Sequence, residues 1–178
     1  SARQSIHCRA VGRVYAFSMH ALTSIGALQK LLLVQVLLLG GGTLFSSYTM
    51  FGQLYAFREL HGTIFQFTDT FTNNPLATPC FFGSLAFLIA FTASVVLLLR
   101  FEWRDERWLR NFLIFSVCFA AIVLAYEACD FFKWIHVGTA VSCAPGVHPL
   151  QSPCFVGLVF FVLSALSAQR IVRMTTST

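Results

Sequence analysis

Two cysteines lie in a motif that occurs twice, and they are the first candidates for chemistry in this chain. Residues 75–83 read PLATPCFFG, and residues 149–157 read PLQSPCFVG. Six of the nine positions are identical, so chance is a poor explanation. Each copy places one cysteine, Cys80 or Cys154, directly after a proline. The repeat therefore predicts two thiols in equivalent positions.

The other residues of the motif predict that each copy starts a helix. A Thr or Ser hydroxyl can cap the first turn, and the proline after it suits the first helical position. The cysteine then takes the second position, where the helix dipole favours a thiolate. These structural motif residues are Pro75, Thr78, Pro79 and Gly83 in one copy and Pro149, Ser152, Pro153 and Gly157 in the other.

Two interpretations of Cys80 and Cys154 follow. They form a reactive redox pair, or each is a small apolar residue that packs beneath its cap. Cys129 and Cys143 lie together in the second long loop, and an oxidising compartment would permit a disulfide between them. The four cysteines Cys80, Cys129, Cys143 and Cys154 can form two disulfides in three ways, and the sequence alone does not choose between them. Cys118 lies within an apolar run and is expected to pack there.

Histidines suggest a third possibility, a metal site. His61 and His136 occupy corresponding places before the two motifs, and His148 precedes Pro153 by five residues. Two histidines with the two motif cysteines (His61, Cys80, His136 and Cys154) could bind zinc or copper in a tetrahedral site. Among the carboxylates, Glu127 is the candidate for a proton relay just inside the membrane. Phenylalanines crowd the first long loop and could line a pocket for a flat apolar cofactor such as a quinone: Phe65, Phe67, Phe71, Phe81 and Phe82.

Composition places these residues in a membrane protein. The 178 residues are 57% hydrophobic and 11% charged, with a mean hydropathy of +0.73. Soluble domains carry about 25% charged residues, so a soluble domain, a disordered chain or a nucleic-acid binder is unlikely despite the net charge of +5. Four apolar runs suit membrane-spanning helices, at 31–51, 81–99, 112–126 with its flanks, and 155–168, the last extending to about 172 past Arg170.

Basic residues predict the orientation. Ten of the twelve Lys and Arg residues fall before the first run, between the second and third, or after the fourth. The positive-inside rule then places both termini and the 100–110 loop in the cytoplasm, with both cysteine motifs outside. We expect an integral protein of a bacterial cytoplasmic membrane, whose partners are the lipid bilayer, other membrane subunits or periplasmic thiol proteins, and no nucleic acid.

The expected fold is an all-α, four-transmembrane-helix bundle of two tandem hairpins related in parallel. Its divisions are a lead at 1–30, hairpins at 31–99 and 111–172, a cytoplasmic loop at 100–110 and a tail at 173–178. Residues 1–18 precede the first methionine, Met19, and we expect either a fragment of a longer chain or sequence upstream of a start there.

Four helices with cytoplasmic termini and four outer cysteines resemble, in topology, the DsbB and vitamin K epoxide reductase class. That resemblance implies electron transfer between outer thiols and a quinone. The Cys-x-x-Cys motif of that class is absent here, so no catalytic residue is carried over. The paired Pro-Cys motifs are also similar to those of CcdA-type thiol transporters, which have more helices.

Three functions are therefore expected, in this order. The first is a non-enzymatic membrane subunit or scaffold with a rim of cysteine and histidine. The second is a thiol-disulfide oxidoreductase that uses Cys80 and Cys154. The third is a metal-binding protein. The cofactor is left open between a quinone and a metal.

Overall fold

A computed structural model describes residues 2–65, 74–100, 106–134 and 148–176, with side chains from residue 26 onward. The described part is helical, with four long helices and two short 3-10 turns. They are α1 (Ala2–His61), α2 (Pro79–Arg100), α3 (Glu106–Phe131) and α4 (Pro153–Thr176), and the turns are Pro75–Ala77 and Pro149–Gln151. Each turn directly precedes the helix that begins at a motif proline.

All four helices are long and apolar enough to cross a membrane. The 22 residues of α2 span about 33 Å, close to the thickness of the bilayer hydrocarbon. Large apolar side chains face outward, among them Leu44, Phe51 and Ile122, each more than two-thirds exposed. Such a surface suits lipid rather than water. The expectation of a helical membrane bundle is confirmed at this level.

Helix α1 is longer than the first apolar run indicated. That run ends at Phe51, but the helix continues to His61. Gly52 does not interrupt it, and the next residues remain apolar enough to pack, since Phe57 is buried. The expected outer loop is therefore shorter than the sequence suggested, because its first ten residues belong to α1.

The helices pack as a ring in which α1 contacts α2 and α4, and α3 contacts α4. The interface between α2 and α3 is the smallest of the four around the ring. At the centre, the rings of Phe87 (α2) and Phe161 (α4) stack with centroids 3.8 Å apart. Both are almost fully buried.

Glycines of α1 make room for aromatic rings. A Cβ on Gly40 would lie 3.2 Å from the Phe91 ring, and one on Gly42 would collide with the Phe87 ring. The glycines of α1 thus allow α2 to approach it closely. Gly83 differs, because nothing lies within 4 Å of the position a Cβ would take there.

A polar contact lies at the end of the bundle opposite the cysteine motifs. The Nε2 of Gln35 donates a hydrogen bond of 3.3 Å to Oε1 of Glu106, and both side chains are buried. A nearby contact joins α4 to α1, where the Ser167 hydroxyl donates to the Leu31 carbonyl over 3.4 Å. These bonds link three helices at that end.

Candidate functional site

Both copies of the motif fold in the same way. The amide of Thr78 donates to the Pro75 carbonyl over 3.2 Å, and the amide of Ser152 donates to the Pro149 carbonyl over 3.2 Å. A helix follows at once, opening with Phe81 or Phe155 bonded to the carbonyl three residues back, each over 3.1 Å. The sequence prediction that each proline begins a helix, with its cysteine second, is confirmed.

The two capping hydroxyls behave differently. The Ser152 hydroxyl accepts the Phe155 amide over 3.3 Å, as an N-cap should. The Thr78 hydroxyl instead donates to the Pro75 carbonyl over 2.7 Å and so closes the preceding turn. The expected N-cap is thus found in the second copy. In the first copy the hydroxyl donates its hydrogen bond to the carbonyl of the preceding turn instead.

A further pair of side chains supports the turns from upstream. The Oδ1 of Asn74 accepts the Leu76 amide over 2.9 Å, and Nδ1 of His148 accepts the Leu150 amide over 3.3 Å. His148 therefore serves as a cap for its turn. Asn74 was not singled out from the sequence, although an Asn directly before Pro is a common turn signal.

The helix starts bring the two motif cysteines together. The Sγ atoms of Cys80 and Cys154 lie 3.7 Å apart, although 74 residues separate them in sequence. Cys80 is disulfide-bonded, whereas Cys154 is in no disulfide and keeps its thiol. Among the described residues, Cys118, Cys129 and Cys154 are in no disulfide. A thiol thus lies directly beside a disulfide.

Glu127 of α3 completes this group. Its carboxyl group is hydrogen-bonded to the Cys154 thiol and is only 6% exposed. A carboxylate beside a thiol can accept its proton when the sulfur acts as a nucleophile. We call Cys80, Cys154 and Glu127 the sulfur site. Glu127 was expected just inside the bundle, and it is buried there. Its side chain contacts the sulfur of Cys154.

The remaining cysteines lie apart from the sulfur site or outside the described residues. Cys118 of α3 is exposed, so it faces outward and does not pack inside the bundle as expected. Its helix position points away from the neighbouring helices, which the apolar run alone did not reveal. Cys129 is a free, half-buried thiol, which differs from the expected disulfide with Cys143. Cys143 lies outside the described residues.

The expected metal ligands do not meet within the part of the chain that the structure describes. No three His, Cys, Asp or Glu side chains there form a group that could hold a metal ion. His61 is exposed at the end of α1, where its ring packs on Phe57 with centroids 4.4 Å apart. His136 lies outside the described residues. Of the four expected metal ligands, the two cysteines lie close together. The side chain found beside them among the described residues is Glu127.

An apolar cavity of about 450 Å³ extends from the sulfur site into the bundle. All four helices contribute to its wall, and Cys80 and Cys154 lie at one end. Of the phenylalanines expected to form a pocket, Phe82 lines it and Phe81 does not. Phe65 is exposed, and Phe67 and Phe71 lie outside the described residues. The aromatic wall comes instead from within the helices: Phe45, Phe87, Phe112, Phe115, Phe119 and Phe161.

No family model, no curated protein and no solved structure matches the chain.

Proposed function

We propose that this membrane protein carries out thiol-disulfide exchange at the sulfur site. The supporting observation is the distance of 3.7 Å between the Cys154 thiol, which is in no disulfide, and the disulfide-bonded Cys80 sulfur. A disulfide bond is about 2.05 Å long, so bond formation requires a small movement of two side chains.

The exchange step is balanced without an added oxidant. Glu127 accepts the Cys154 proton, and the Cys154 thiolate attacks Sγ of Cys80. A Cys80–Cys154 bond forms while the bond from Cys80 to its present partner breaks. The partner sulfur leaves as a thiolate and takes up a proton. One disulfide and one thiol are present before and after the step.

An external thiol enters the same sequence of exchanges. A partner thiol attacks Cys80, releases its bonded sulfur and forms a mixed disulfide. Cys154 then attacks Cys80 and frees the partner. Cys154 is therefore the resolving cysteine, and Cys80 is the sulfur that exchanges with partners. At the end the partner is again a thiol, the sulfur first bonded to Cys80 is a thiol, and the disulfide joins Cys80 to Cys154.

Charge supports a membrane orientation in which the sulfur site faces away from the cytoplasm. In the sequence, ten of the twelve basic residues fall within residues 1–30, within 100–110 or after residue 168, and not in the segments that carry Cys80 and Cys154. The positive-inside rule places those segments in the cytoplasm. The sulfur site then faces an oxidising compartment, where disulfides persist and thiol-bearing partner proteins are available.

The resolving role of Cys154 is tested with a fluorescent peptide that carries one cysteine. The protein in vesicles is mixed with the reduced peptide, quenched with acid and separated without reductant. We expect the wild type to show a short-lived mixed disulfide at Cys80. Cys154→Ser should accumulate that species, because a serine hydroxyl does not displace a thiolate from a disulfide.

Cys118→Ser is the matched control, because it also removes one thiol but at an exposed place on α3. It should behave as the wild type does. Equal lifetimes of the mixed disulfide in the wild type and Cys154→Ser, or no mixed disulfide at all, would contradict the proposal.

A non-enzymatic subunit is the second candidate, favoured by the way the motif builds helix starts. Pro75, Pro149 and Ser152 are buried, and their turns are closed by matched hydrogen bonds. In this case the repeat shapes two hairpins, α1 with α2 and α3 with α4, and the cysteines only pack. Substituting Cys80 or Cys154 with serine would then leave assembly intact, whereas changes at Pro79 or Pro153 would not.

A further inference from the structure

The cavity beneath the sulfur site has a side opening toward the membrane. Three phenylalanines line it and are also exposed: Phe82 on α2, and Phe115 and Phe119 on α3. They flank the smallest interface between neighbouring helices, that of α2 with α3. The cavity therefore opens laterally between these two helices, at a depth where lipid surrounds the bundle.

The wall of the cavity offers almost nothing to a polar group. Its four hydroxyl side chains each donate their proton to a backbone carbonyl of the same helix, over 3.0 or 3.1 Å: Ser46, Thr49, Ser84 and Ser116. The Cys154 thiol is engaged with Glu127. A ligand with hydrogen-bonding groups along its length would lose its partners on entry, which costs free energy.

From these observations we infer that the cavity binds one acyl chain of a bilayer phospholipid, which enters between α2 and α3. A hydrocarbon chain needs no hydrogen bonds and exchanges lipid contacts for aromatic ones. The volume of about 450 Å³ lies within the range of small-molecule sites, about 300 to 1,000 Å³. The headgroup stays outside the opening, at the surface of the bundle.

The absence of a side chain at Gly83 leaves part of the cavity open to the acyl chain. It lines the cavity, and a Cβ there would meet no atom within 4 Å. Leucine at this position should fill part of the cavity while leaving the packing of the helices undisturbed. Gly52 has the same open surroundings but lies exposed on α1 and does not line the cavity. Gly52→Leu is therefore the matched control.

Photolabelling tests the inference directly. The full chain is reconstituted in phosphatidylcholine vesicles that contain phosphatidylcholine with a diazirine on one acyl chain. After illumination, adducts are located by mass spectrometry of the peptides. We expect adducts on Phe87 and Phe161, which line the cavity and are only 2% and 3% exposed, so that bulk lipid does not reach them.

Gly83→Leu should lower the adducts on Phe87 and Phe161 about tenfold, which corresponds to about 1.4 kcal/mol of binding free energy. Adducts on Leu44, which is 75% exposed to lipid, should remain and report that the bundle is folded. Gly52→Leu should label as the wild type does.

Three results would overturn the inference. Adducts confined to exposed residues, or insensitive to Gly83→Leu, would show that no chain occupies the cavity. Loss of labelling when an isoprenoid quinone is added to the vesicles would assign the cavity to the quinone. Crosslinks from the cavity residues to a second protein chain would assign it to a partner helix.

Discussion

Replacing Glu127 by glutamine should slow the exchange between Cys154 and Cys80 about a hundredfold, the lower end of what a positioned general base contributes. The carboxyl group is hydrogen-bonded to the Cys154 thiol in a nearly water-free place. Glutamine retains the shape and can still form a hydrogen bond, but it does not accept a proton. Bulk water is a poor substitute there, because Glu127 is only 6% exposed.

The rate is measured by mixing the reconstituted protein with the cysteine peptide and following decay of the mixed disulfide in acid-quenched samples. Asp130→Asn is the control, since Asp130 lies on the same helix three residues further along. It should leave the decay unchanged. A faster decay in Glu127→Gln would show that the negative charge hinders thiolate formation, and Glu127 would then have no role as a base.

Phe87→Ala should cause the largest loss of stability, about 3 kcal/mol in the free energy of unfolding. Its ring stacks on Phe161 and fills the space left by the absent side chain of Gly42. In a membrane the transfer of the ring gains little, since lipid is as apolar as the core, so the loss comes from packing contacts. We place the expected cost at the lower end of the range for this reason.

The measurement is thermal unfolding of the purified protein in one detergent at fixed concentration. Phe82→Ala is the matched control, because it removes the same ring from α2 at a position that is 53% exposed. Its unfolding midpoint should change much less. Equal shifts for the two variants would show that the Phe87 contacts with α1 and α4 do not stabilise the bundle.

The helices and the motif geometry could be predicted from the sequence because their causes are local. Apolar length indicates a membrane span, and a proline after Thr or Ser indicates a helix start. Both indications are confirmed for α2 and α4. The end of α1 was harder to predict, because no proline or charge run marks it and Gly52 lies within a helix that packing sustains.

Contacts between distant segments could be anticipated only as far as the repeat implied them. The equivalence of Cys80 and Cys154 suggested a pair, and their sulfurs are 3.7 Å apart. Nothing local indicates the contact of Glu127 with Cys154, which depends on how α3 turns toward α4. For the same reason, Cys118 was expected inside the bundle, although its face of α3 is exposed.

The cavity could not be predicted from the sequence either. Its aromatic wall consists of residues that any apolar helix could carry, and the space between them arises from the weak contact of α2 with α3. Gly83 was identified from the sequence as a motif residue. The structure shows open space beside it, because no side chain of a neighbouring helix reaches that position.

The most direct test of the sulfur site is the disulfide that exchange should create. The reconstituted protein is equilibrated in glutathione redox buffers, quenched with acid, alkylated and digested without reduction, and the linked peptides are identified by mass spectrometry. We predict a peptide pair joined through Cys80 and Cys154, whose amount rises as the original Cys80 disulfide declines. Absence of that pair in every buffer, with Cys154 alkylated throughout, would contradict the proposed exchange.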